Sequence, residues 1–205
     1  MIAGVPYDAE VEYLESTGTQ WIDTGVKPDN TYTFDTAVAV LNTPYNCIYW
    51  GCRSAGTFAS DNSQCYLNSF TGSASDILKL YSTNTSSVDN WSSGIVPQVG
   101  VMYSFSGITV VSTMNTMTYS VVLFGLNIIG TVNASLGRCR IGKWTAYSND
   151  IKVADFVPVR VGSGANAVGY MYDRVTKRLF GNQGTGAFTI GPDVARPVMG
   201  VWRYA

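Results

Sequence analysis

The chain has 205 residues, 13% of them charged, and a formal net charge of −1. That length suits one domain, and a hydrophobic share of 46% supplies a sizeable core and excludes a disordered chain. There is no histidine, so no Ser-His-Asp or Cys-His nucleophile and no His-ligated zinc site can be assembled. The near-neutral balance, without a basic patch, gives nucleic-acid binding no electrostatic support.

Residues 1–9 read as a leader of Gly, Pro and small side chains. The segment MIAGVPYDAEVEY has neither a basic start nor an apolar stretch, and no later run reaches the ~18 apolar residues of a membrane span. The expectation is a product made in a cytoplasm and not exported by the usual secretory route. Val11–Glu15 alternates apolar and acidic residues as a half-buried strand does. Ser16–Gln20 reads as a turn and Trp21–Thr24 as a second short strand. Thr31–Leu41 (TYTFDTAVAVL) shows the clearest alternation, and Cys47–Gly51 is an apolar run suited to a buried strand.

Arg53–Asn68 is polar with isolated aromatics, and Thr83–Gly94 is the most loop-like window. Val99–Val111 predicts two strands around Gly107, a hairpin, and Met117–Phe124 predicts a strand. In Arg138–Tyr147, alternation puts Cys139, Ile141, Lys143 and Thr145 on one face and Arg138, Arg140, Gly142, Trp144 and Ala146 on the other. A Ser148-Asn149-Asp150 turn leads into Ile151–Val161. Val168–Tyr172 and Ala187–Ile190 are further short apolar runs bounded by Gly and Asn. Asp173 is placed to accept backbone N–H groups of the next turn, and Asn182, Gly184 and Gly186 suit positive φ.

No window sustains helical periodicity with caps. About a dozen strands between turns predict an all-β fold: two packed antiparallel sheets forming a jelly-roll sandwich over residues 10–192, with a tail at 193–205. The tail carries Val198, Met199, Val201, Trp202 and Tyr204. An exposed apolar tail is a liability, so it is expected to pack on its own domain or on a partner.

Two segments carry a resemblance. One is Glu12-Tyr13-Leu14-Glu15-Ser16-Thr17-Gly18-Thr19-Gln20-Trp21-Ile22-Asp23-Thr24-Gly25. The other comprises Asp155-Phe156-Val157-Pro158-Val159-Arg160, then Tyr170-Met171-Tyr172-Asp173, then Phe180-Gly181-Asn182-Gln183-Gly184-Thr185-Gly186-Ala187-Phe188-Thr189-Ile190-Gly191-Pro192. Together they resemble the N- and C-terminal signatures of a concanavalin A-like (laminin-G-like) sandwich domain common in gut bacteria and their phages. The resemblance implies that the first and last strands lie together. It also implies a non-enzymatic phage virion surface protein, in a capsid decoration, head fibre or tail, with a lectin-like sandwich for adhesion to host or mucosal glycans. The alternatives are a secreted bacterial carbohydrate-binding module and a glycan hydrolase. Partners implied are other virion proteins, further copies of the chain and glycans, without a cofactor, nucleic acid or membrane.

Candidate chemistry is sparse. Asp8, Glu10 and Glu12 alternate, with Glu15 beyond, which resembles the acid strand of sandwich glucanases; acidic residues on an edge strand equally read as a solvated face. For sugar stacking, Trp91 flanked by Asp89, Asn90 and Ser92 is the first candidate, with Tyr66 and Tyr81 behind it. Trp91 also reads as a loop anchor tucked onto the core. Asp61, Asp76, Asp89 and Asp150 are too scattered for a calcium loop, so no metal is expected. Cys47, Cys52, Cys65 and Cys139 read as buried thiols, although Cys47 and Cys52 are near enough in sequence to pair.

Overall fold

The computed structural model describes residues 4–41, 47–54, 64–69, 78–83, 89–110 and 114–195, with the backbone alone at residues 81–83, 89, 90 and 136. Numbered in chain order, the strands of the first sheet are β1 (Ala9–Glu10), β2 (Leu14–Glu15), β4 (Tyr32–Val40), β9 (Tyr103–Thr109), β13 (Cys139–Ser148), β14 (Ile151–Val161), β15 (Val168–Asp173), β16 (Arg178–Phe180) and β17 (Thr189–Ile190). The second sheet holds β3 (Ile22–Asp23), β5 (Cys47–Arg53), β6 (Gln64–Ser69), β7 (Leu78–Thr83), β8 (Asp89–Ser92), β10 (Val122–Leu123), β11 (Leu126–Ile128) and β12 (Thr131–Asn133). Pairing is antiparallel except where β11 runs parallel to β5. The described residues contain no α-helix, only 3-10 turns at Ala134–Leu136 and Gly164–Asn166. The expected all-β, two-sheet architecture is present.

The sheets are joined through aromatic side chains. Trp50 of β5 meets Phe34 of β4 at 4.8 Å and Trp144 of β13 at 5.9 Å between ring centroids. Trp144 in turn meets Phe156 of β14 at 5.8 Å, and Phe156 meets Phe180 of β16 at 4.9 Å. A second bridge, Phe124 to Phe188 at 4.7 Å, joins the residue after β10 to the residue before β17. Such ring pairs contribute more than area alone, because tilted and edge-on contacts align their quadrupoles; Phe34, Trp50, Phe124, Trp144 and Phe156 are fully buried and Phe180 partly so.

The long strands follow their sequence periods, and the departures have local causes. On β4, Phe34, Thr36, Val38 and Val40 face inward as the alternation predicts. On β13 the predicted faces are correct only as far as Gly142. The pairing with β4 shifts between Ile141 and Lys143, so Gly142 is an extra residue. Side-chain parity reverses there: Cys139 and Ile141 share the core with Trp144 and Ala146, and Lys143 is exposed. Gly142 is required because a Cβ there would lie 2.8 Å from the Glu12 carbonyl oxygen.

The hairpin expected around Gly107 is instead one strand, β9. Gly107 sits at φ 66° opposite Asp35, whose Oδ1 accepts its N–H at 3.0 Å. It is a bulge, and the strand continues through it. β6 was hidden in a window read as polar because all six of its residues are buried, so no alternation marks it. The Asn149–Asp150 turn is a two-residue hairpin with both residues at positive φ, 49° and 62°.

The segment read as a leader is partly built into the first sheet. Tyr7 is buried, and Ala9 and Glu10 pair with Arg160 and Val159 of β14. The chain then leaves β14 and β2 pairs with β13, while β17 pairs with the other side of β2. A Val11–Asp193 bridge extends this contact. First and last strands therefore lie together, as expected.

Candidate functional site

The acid-rich N-terminal segment is not one continuous strand. It exchanges β14 for β13 between Glu10 and Leu14, so the uninterrupted alternation assumed for Asp8, Glu10 and Glu12 does not form. Asp8 Oδ2 accepts the Gly162 N–H at 2.8 Å. Both oxygens of Glu10 accept from Arg174 Nη2 at 2.8 Å, and Oε1 also accepts the Tyr7 hydroxyl at 2.9 Å. Burial, followed by the Glu10 carboxylate, pushes the Tyr7 phenol up to about 12. Glu15 Oε2 accepts from Arg140 Nε at 2.7 Å, and that guanidinium lies 4.3 Å from the Tyr13 ring. Glu12 is exposed. Asp193 takes a two-pronged bond from Arg160 at 2.7 and 2.6 Å, which holds its carboxyl below the usual range.

The conspicuous motifs of the C-terminal half close turns. Asp173 Oδ1 accepts the N–H groups of Asp155 (2.8 Å) and Val175 (3.1 Å). Its Oδ2 accepts the Thr176 N–H at 3.1 Å and hydroxyl at 2.6 Å. The predicted role of Asp173 is thus observed. Asp155 receives the Thr145 hydroxyl at 3.1 Å and Lys152 Nζ at 3.0 Å.

Asn182 Oδ1 accepts the N–H groups of Gly184 at 2.8 Å and Trp21 at 3.2 Å, while Nδ2 donates to the Gly186 carbonyl at 2.9 Å. Of the three residues expected at positive φ, only Gly186 (73°) adopts it. Gly184 is needed for close approach, since a Cβ there would collide with the Thr19 carbonyl. The two sequence signatures therefore grip each other.

Beside this grip lies an open groove of about 490 Å³ lined by Asp23, Gly25 and residues 178–183. Asp23 stands at the end of β3, its Oδ1 accepting the Gly25 N–H at 2.9 Å. Arg178 and Gln183 are exposed, and no described residue hydrogen-bonds the Arg178 guanidinium or the Gln183 side-chain carboxamide. The groove offers a carboxylate, a guanidinium and a carboxamide, a donor and acceptor set suited to hydroxyl-rich ligands. Periodicity gave no sign of it, because its residues come from two distant segments, the end of β3 and β16 with the loop after it.

The aromatic candidates divide between two rows of the second sheet. Tyr66, Tyr81 and Asp89 are register partners across β6, β7 and β8. Tyr66 is only 3% exposed and packs with Ile48 and Leu126, so its ring is no open stacking platform. The side chains of Tyr81, Asp89 and Asn90 lie outside the described residues. Trp91 belongs to the alternate row, beside Leu80 and Leu67. It is half-buried against the main core and edge-on to Phe105 at 5.3 Å, which is the anchoring alternative for this residue.

Asp61 and Asp76 lie outside the described residues, as do the tail residues Val198, Met199, Val201, Trp202 and Tyr204. Among the described residues no three His, Cys, Asp or Glu side chains are grouped to hold a metal ion. The four cysteines are buried and free; Cys47 and Cys52 share β5 rather than facing across a turn. No family model, curated protein or solved structure matches the chain.

Proposed function

We propose that this chain is a non-enzymatic surface protein of a bacteriophage particle, with a sandwich of the concanavalin A-like jelly-roll type used for adhesion to host or mucosal glycans. The observation that carries the non-enzymatic reading is the employment of its acids: Glu10, Glu15, Asp155 and Asp193 are each held by a cation, and Asp173 by a turn. A glycosidase needs two carboxyl groups directed at one bond, and structural partners draw these side chains elsewhere. The family reading rests on the two signatures, and their mutual grip gives those residues a reason to occur together.

Glycan contact is assigned to the groove at Asp23, Arg178 and Gln183, because Tyr66 is buried and Trp91 packs half-buried on the core, edge-on to Phe105. Binding to immobilised glycans tests it. Arg178→Ala and Asp23→Asn are expected to weaken binding roughly tenfold each, a loss of about 1.4 kcal/mol, with an unchanged melting temperature. Binding unaffected by both and abolished by Trp91→Ala moves the site to β8. Co-sedimentation with intact particles tests the virion assignment, and reducing-sugar release from any polysaccharide overturns the non-enzymatic one.

A further inference from the structure

Among the described residues, β8 and β9 are the end strands of their sheets: β9 pairs only with β4, and β8 only with β7. Residues 93–102 cross between the two edges. The Ser93 N–H bonds to the Leu78 carbonyl at 3.0 Å on β7, and the Gly100 N–H bonds to the Val40 carbonyl at 2.8 Å at the end of β4. This crossing holds Ile95, Val96, Val99 and Val101 out to solvent, 39%, 55%, 47% and 41% exposed. The other large exposed aliphatics are scattered singly along the chain, so these four form a patch and not background. Tyr103 and Phe105, stacked at 6.4 Å on β9, are partly buried beside it, with Phe105 packed against the core.

Charge supplies a second observation. From Asn90 to Gly137 the sequence has no Asp, Glu, Lys or Arg. Edge strands are normally guarded against pairing by charged side chains, proline or a covering element. The sequence of β9, YSFSGIT, carries no charge and no proline. Its bulge at Gly107 distorts the far half and leaves Tyr103–Phe105 in regular register with β4. Ser104 and Ser106, small and exposed, obstruct nothing.

We infer that this face docks a second copy of the same chain, β9 adding to β9 about a two-fold axis with the valine-rich crossings packed together. The absence of charge selects the occupant. In a two-fold contact a patch meets itself, so any charge on it faces its own sign. A contact with a different partner draws specificity from opposite charges, and the crossing and β9 carry none of their own; the carboxylate that reaches β9 is Asp35 of the neighbouring β4, at Gly107. The inference is independent of the glycan assignment.

The test is sedimentation of the full chain across a dilution series, with Val99→Glu and Val99→Lys alongside. Wild type is expected to dimerise reversibly. Each variant is expected to lose on the order of tenfold or more in dimer affinity with unchanged circular dichroism and melting, and a mixture of the two is expected to regain dimer. Ser104→Lys, on the exposed face of β9, replaces any Val99 variant that misfolds. A wild type that stays monomeric throughout overturns the inference. So does a dimer that persists in all the variants, or one lost only on deleting residues 196–205.

Discussion

Asn182 accepts the backbone N–H of Trp21 at 3.2 Å across 161 positions of sequence, while the Trp21 carbonyl accepts the Gln183 N–H at 2.9 Å. The Thr185 N–H bonds to the Thr19 carbonyl at 3.0 Å, and the Thr19 hydroxyl donates to the Thr185 carbonyl at 3.0 Å. Two turns from opposite ends of the chain thus satisfy each other's backbone groups. Loops that did this only with water would leave β3 and β17 without a mutual anchor.

Asn182→Ala deprives the Trp21 and Gly184 N–H groups of their acceptor. The expected loss is about 2 kcal/mol, since each orphaned, partly buried donor costs about 1–3 kcal/mol. Asn182→Asp keeps the acceptor and is expected to recover most of it. Urea unfolding measures this as a lower midpoint with an unchanged slope. An alanine variant as stable as wild type removes the clasp from the account of the fold.

Gly142→Ala is expected to destabilise by about 1–3 kcal/mol, as overpacking does, although φ there is not positive. The added Cβ would sit 2.8 Å from the Glu12 carbonyl oxygen and 3.1 Å from Met102 Cε. Gly25→Ala is a comparison site where the added atom meets nothing within 4 Å, so its cost comes from its φ of 72° alone. Thermal melts of both variants separate crowding from backbone strain.

The same glycine marks where sequence reading stopped. β4 was legible because its apolar residues alternate and nothing interrupts the count, and β14 because an apolar run up to Val161 is bounded by turns. β13 was legible as a strand but not as a pair of faces, because one extra residue exchanges inside for outside. β9 was divided at Gly107 because a bulge glycine and a turn glycine look alike in sequence. β6 was invisible because both its faces are buried. Of the site, Asp173 could be read from its own neighbourhood. The Asp23–Arg178 groove could not, since only folding brings the segments 23–25 and 178–183 together.

The cysteines give a third prediction. All four are buried, and burial raises the thiols of Cys52, Cys65 and Cys139. The thiolate is the reactive form, so a disulfide reagent is expected to label none of them in the native protein at neutral pH and all four after denaturation. Prompt native labelling at Cys52 or Cys65 would mean that β5 and β6 separate readily.

Stability is expected to fall at both pH extremes, for opposite reasons. The Tyr7 phenol, at about 12 in the folded chain against about 10 unfolded, stabilises fully below pH ~10 and loses that contribution as pH rises towards 12. Asp193, held low by Arg160, contributes above the ordinary carboxylate pKa of about 3.9 and loses its contribution as pH falls through its lower folded value. Melting temperatures across pH for Tyr7→Phe and Asp193→Asn check this. The first is expected to flatten the alkaline limb only, and the second the acid limb only.

The bridge between Val11 and Asp193, flanked by the β2–β17 pair, brings the start and finish of the sandwich to one place on its perimeter. Order along the polypeptide is therefore separable from order in space. A short linker from residue 194 to residue 8, with new ends cut at the exposed Asn149–Asp150 turn, gives a circular permutant whose strand neighbours are all retained. For the same reason the sandwich can be spliced into a surface loop of a host protein, entering and leaving through one gap while its opposite rim stays clear.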